Sequence, residues 1–219
     1  MAHRFPCRPG GRGHQEQRGA ALVTALFLVL AVLMMSVSGT RASLAAVQSA
    51  RHERDRHVAL QAARAALLDA ERDIAGAAGP ASPRTAIFVA ANAGAFMPGC
   101  AGSGEHAGLC AQAAPPGVPA WQAVDLDSEA AVEYGRFTGA SMPTGAGLLP
   151  ARAPRYIVEL LAGPGLEPSY RITAIGFGAS ATTRVVLQGY YRRAGATAPA
   201  RRLGWREIAN WPELHAAAG

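Results

Sequence analysis

Few residues in this chain are placed to do bond-making chemistry. Of its 219 residues, 21 are Arg and none is Lys. That excludes a Schiff-base lysine, a Walker lysine at a phosphate and a Ser–Lys dyad. His52 and His57 lie in the charged stretch RHERDRH (51–57), five positions apart. Two ligands on one helix face need a spacing of four, so the pair reads as part of a solvated helix. Asp125, Asp127 and Glu129 alternate like the start of a calcium loop. Ala130 stands where that loop needs Gly, and Arg136 where it needs the closing Glu, which excludes an EF-hand. A solvated acidic turn and an irregular calcium site remain. Cys100 and Cys110 enclose nine residues with only His106 among them, a poor zinc spacing. There is no G-x-S-x-G, no H-E-x-x-H and no glycine-rich phosphate loop between a strand and a helix. The expectation is a non-enzymatic protein with no metal, no cofactor and no small-molecule substrate.

The elements that would position these residues begin with a basic leader. Arg4, Arg8, Arg12 and Arg18 stand against one acid, Glu16, and the uncharged run AALVTALFLVLAVLMMSVSG (20–39) follows. A bilayer-spanning helix needs ~20 apolar residues, and this run supplies them. Positive charge ahead of the run predicts a cytoplasmic N-terminus with the remainder outside. A cleaved secretory signal fits less well. It has a shorter apolar stretch, and the small-residue site available, ASLAA (42–46), lies beyond Arg41 in a continuing helical pattern.

From Arg41 to Asp73 there is neither Pro nor Gly, and good helix formers dominate. Leu60, Ala63, Leu67, Ala70 and Ile74 recur at three- and four-residue steps as one apolar stripe. Arg64, Asp69, Glu71, Arg72 and Asp73 are expected on the opposite, charged face. Gly76, Gly79 and Pro80 supply the stop. One helix over 20–75 would be roughly 80 Å long, its first part (20–40) crossing the membrane and its second part needing a head to pack on.

Residues 76–219 read as that head. The stretch 76–150 is rich in Gly, Ala and Pro and is expected to form irregular loops. RYIVELL (155–161), YRITAIGF (170–177) and TTRVVLQGYYR (182–192) read as strands. Short links make an antiparallel meander over 155–193 the simplest topology, with one apolar face on the helix stripe. The tail 200–219 holds Trp205, Arg206 and Trp211, residue types enriched at interface centres. It either docks back on the sheet with its arginines solvated or binds a partner. The fold class is α+β.

A long N-terminal helix, apolar and then amphipathic, behind a short leader ending QRG (17–19), resembles the type IV pilins. The resemblance implies cleavage by a prepilin peptidase between Gly19 and Ala20, and methylation of Ala20. The fifth mature position, ordinarily Glu, is Thr24. A neutral residue there fits minor subunits that start or cap a fibre. A narrower resemblance, to the PilX family of minor pilins, rests on RGAALVTALFLVLAVLMMSVSGTRAS, on RDRHVALQAARAALLDAERDI (54–74) and on the strand-rich YRITAIGFGASATTRVVLQGYYRR (170–193). It implies an inner-membrane subunit, later part of the pilus at the cell surface. Its partners would be other minor pilins and the assembly machinery, with which it primes pilus assembly and supports piliation, twitching motility and adhesion. A minor pseudopilin of type II secretion and an unprocessed membrane-anchored periplasmic binding module are the alternatives.

Leader removal also explains the composition. Cys7 lies in the leader, which leaves Cys100 and Cys110 in an oxidising compartment and predicts a disulfide. Four Arg and one Glu leave with residues 1–19, so the formal charge falls from +6 to +3. No basic stripe interleaved with aromatics remains, and nucleic acid is not an expected partner.

Overall fold

Helix α1 spans Gln17–Ala75, 59 residues, in the computed structural model, which describes residues 17–161, 168–193 and 199–218. The leader segment 1–16 with Cys7 and the link 162–167 with its Gly-Pro-Gly sequence lie outside the described residues. Gly76 terminates α1 in the left-handed region, at φ +99°. Its N–H donates to Asp73 O and that of Ala77 to Arg72 O, both at 3.0 Å. These two bonds make a Schellman cap, which an L-residue with a Cβ would strain.

The chain divides into two compact units, Met1–Arg51 and His52–Gly219. The described part of the first is helical. Within it Gly19–Val37 has a mean hydropathy of 2.7, and none of it is buried. The second unit is built on a six-stranded sheet of strands β1 (Leu109–Ala111), β2 (Val132–Glu133), β3 (Arg155–Leu161), β4 (Ser169–Phe177), β5 (Arg184–Arg192) and β6 (Arg201–Glu207). The order is β1-β3-β4-β5-β6, with β2 also on β3. The expected antiparallel meander is present as β3-β4-β5, with Ala174 between Tyr156 and Leu187. The sheet is nevertheless mixed, because β1 runs parallel to β3, with Cys110 opposite Glu159.

Both faces of the sheet are covered, where the sequence reading expected one. Tyr156, Val158, Ile172, Ala174 and Leu187 face the α1 stripe of Ala59, Ala63, Ala66, Leu67, Ala70 and Ile74. The alternate residues Ile157, Ile175, Phe177 and Val186 belong to a second core, with Trp121, Leu126, Ile208 and Trp211. Period-two alternation puts neighbouring residues on opposite faces, so burial on both sides needs the near-continuous apolar strands seen here. The helix face is lean. Alanines bring the α1 backbone so close that an ideal Cβ on Gly176 would lie 2.2 Å from Ala59 O and 2.3 Å from Ala63 N.

The region expected as loops, 76–150, contains more structure than that. Helix α2 (Pro83–Ala90) starts with Ser82 as N-cap, its side chain accepting the Arg84 N–H at 3.2 Å, and with Pro83 in the first turn. Ser-Pro is a legible helix start, overlooked among the surrounding Gly and Pro. The short helix α3 (Ala120–Ala123), three single 3-10 turns, β1 and β2 complete the region. Helix α4 (Trp211–Ala216) closes the chain.

Candidate functional site

The first candidate surface is the apolar span. Its large side chains are exposed among the described residues, as in Leu26 (66% exposed), Phe27 (66%) and Met35 (75%). Thr24 satisfies its own hydroxyl, which donates to Ala21 O at 2.9 Å, and Ser36 does the same to Val32 O at 2.8 Å. Hydroxyls bonded back onto the helix leave no unpaired polar group facing an apolar medium. Gly19 and Ala20 are helical and exposed, and an ideal Cβ on Gly19 meets nothing within 4 Å.

In the second unit, Cys100 and Cys110 form a disulfide, with an S–S distance of 1.95 Å. Both are buried in the second core, so the bridge ties the turn at Pro98–Cys100 to β1. His106 Nδ1 sits 3.2 Å from Ala95 O. Among the described residues no three His, Cys, Asp or Glu side chains converge. Of the two helical histidines, His57 is exposed and lies 3.1 Å from Glu53, one turn away. The acidic turn is held by arginine. Asp127 receives Arg152 at 2.5 Å and Arg184 at 3.3 Å, while Asp125 Oδ1 accepts the Asp127 N–H at 2.9 Å.

Two residues assigned to the charged face of α1 are buried instead. Asp69 (1% exposed) accepts the Gly135 N–H at 2.7 Å and the Thr138 hydroxyl. Asp73 (0%) is gripped by Arg84, itself fully buried, through Nε at 3.1 Å and Nη2 at 2.7 Å, and it accepts the Tyr156 hydroxyl at 3.1 Å. Burial raises the Asp73 pKa, and the Arg84 guanidinium only partly offsets it. Burial also pushes the Tyr156 hydroxyl well up, so it stays a donor to that carboxylate. Arg84 Nη1 reaches Glu105 O at 2.6 Å and Ala107 O at 2.9 Å, and its guanidinium lies 4.1 Å from the Phe137 ring. One cation thereby joins α1, α2 and the loop leading to β1. Periodicity could not find this, because 69 and 73 border the stripe on the helical wheel and their partners are remote in sequence.

The tail is the third feature. Strand β6 lies along α1 through three contacts. Arg56 reaches Glu207 at 2.7 Å, Arg64 stands over the Trp205 ring at 5.1 Å, and Glu71 receives Arg202 at 2.5 Å. Trp205 remains 46% exposed, and Arg206 donates to Gln188 Oε1 at 3.1 Å. Trp211 does not belong to an exposed tail. It is 2% exposed, donates from Nε1 to Trp121 O at 2.9 Å and stacks on His215.

With this geometry in view, two family profiles match the chain. One, described as PilX N-terminal, covers residues 18–67, and the other, Type IV pilus assembly protein PilX C-term, covers residues 106–193. Together they span more than half of the sequence. No curated protein and no solved structure gives a significant match.

Proposed function

Because the chain belongs to the PilX family of type IV pilus assembly proteins, we propose that it is a minor pilin that helps prime pilus assembly. It does so within a complex of minor subunits and thereby supports piliation, twitching motility and adhesion. The carrying observation is the span Gly19–Val37, uncharged throughout, of high hydropathy and exposed among the described residues. Such a surface is stable in lipid and equally stable among other apolar helices. Transfer from membrane to fibre is then near neutral in hydrophobic terms, and packing and head contacts supply the specificity.

In this reading the prepilin peptidase cuts between Gly19 and Ala20, and the new N-terminus is methylated. The leader's arginines keep the N-terminus cytoplasmic and the head periplasmic until extraction into the pilus. Thr24 brings no carboxylate to the fifth mature position, which suits a subunit that starts or caps the fibre. The test is deletion of the gene followed by a count of surface pili. Loss of pili, restored by the intact gene, is expected; a fully piliated deletion strain overturns the reading. The mass of the membrane-extracted protein checks processing: it should correspond to a chain starting at Ala20 plus one methyl group.

A further inference from the structure

We infer that β6 is an acceptor edge for strand addition, and that its occupant is an extended acidic segment of a neighbouring subunit. This names a partner surface for the assembly role proposed above and rests on that role for its biological meaning. Strand β6 is the last strand in the sheet order. Residues 201–206 are all exposed, and no described residue pairs with the outer edge. An edge of this kind offers a row of free N–H and C=O groups.

Two further observations point to an occupant and to its charge. A cleft of about 210 Å³ opens beside the edge, lined by Leu67, Leu68, Leu187, Trp205 and the side chains of Arg64 and Arg202. Leu68 is 45% exposed there and Trp205 46%. A strand added to β6 would turn every second side chain toward this apolar cleft and leave the alternate ones outward. Around the edge, Arg64, Arg201 and Arg206 are exposed and have no carboxylate partner among the described residues. Arginines alone can serve to repel stray strands. Here an apolar cleft also opens on the α1 face of the edge, beside Arg64, while Arg206, bonded to Gln188, and Arg201 stand on the opposite face, where the alternate side chains of an added strand would lie. A purely protective edge would not present such a cleft. Backbone pairing, apolar side chains in the cleft and carboxylates against the arginines together describe the partner segment.

The test uses the full chain in detergent micelles and a labelled peptide of alternating Glu and Val, matched in length to β6. Its controls are the same peptide with Lys for Glu, and the Glu peptide with alternate amides N-methylated. Binding of the Glu/Val peptide is expected, with slowed hydrogen exchange of the β6 amides. Weakening of about ten-fold is expected in the R201E/R206E double variant. Both residues are exposed and have no ion pair among the described residues, so an unchanged unfolding midpoint would show that the variant still folds. Equal binding of the Lys peptide or the N-methylated peptide, or unaltered exchange in β6, overturns the proposal on the wild-type chain alone. A double variant that restores full piliation to a deletion strain lacking pili also overturns it, while leaving the assembly reading in place. A deletion strain that keeps its pili strikes at the assembly reading instead.

Discussion

Arg84 shows how much one side chain can hold together. It is fully buried, yet every contact is an ion pair, a carbonyl bond or an aromatic face. Replacing it by Met should leave the Asp73 carboxyl in the interior without its countercharge and cost about 3–5 kcal/mol. Denaturant unfolding, followed by the fluorescence of Trp121 and Trp211, measures this. Adding Asp73→Asn should recover part of the loss, because no buried charge is then left without a partner. Asp55 behaves differently. Burial raises its pKa, but the Thr183 hydroxyl and the backbone N–H groups of Ser180 and Ala179 outweigh this, so the value falls below 3.8. A lowered folded-state pKa stabilises the protein above the unfolded value, and that contribution is lost as pH falls through the folded one. Asp55→Asn should therefore lower the thermal midpoint at neutral pH and flatten its decline below about pH 4.

At the scale of elements, the decisive contact is α1 on the sheet. Gly176 faces backbone atoms of Ala59 and Ala63, so Gly176→Ala must move the helix or the strand. The expected cost is on the order of 1–3 kcal/mol. Gly189 faces the flexible Leu67 side chain, at 3.1 Å from an ideal Cβ, so Gly189→Ala should cost less. Thermal unfolding of the two variants side by side gives the order. The strands β3, β4 and β5 and the helix stop at Gly76 were legible because each is a local pattern: β-branched runs with turns between them, and a glycine after the last apolar step. Strand β1, three residues long, and β6, exposed over 201–206, carry no such pattern. Pairing with longer neighbours makes them strands, and no window of sequence reports that. The buried faces of Asp69 and Asp73 were hidden for the same reason. A carboxylate at the margin of an apolar stripe reads as solvated until its remote partners are known.

The whole molecule joins two units with different needs. The span Gly19–Val37 is exposed among the described residues, while His52–Gly219 contains both hydrophobic cores and the disulfide. A chain lacking residues 1–51 should thus be soluble and monodisperse without detergent, with the Cys100–Cys110 bridge intact. Size-exclusion chromatography and thiol titration check both points. The full chain should require detergent or lipid, because its apolar span remains exposed in water.

Sequence alone determined the long helix with its apolar and amphipathic halves, the α+β class, the central meander and the pilin resemblance. These follow from composition and short-range periodicity, which need no knowledge of distant residues. Tertiary structure decided the rest: a mixed sheet covered on both faces, an Arg84–Asp73 pair at the junction of three segments, Trp211 in a core and Trp205 beside an open edge. Each of those depends on groups far apart in the chain whose energies are set by burial and by partners, and only the folded arrangement brings them together.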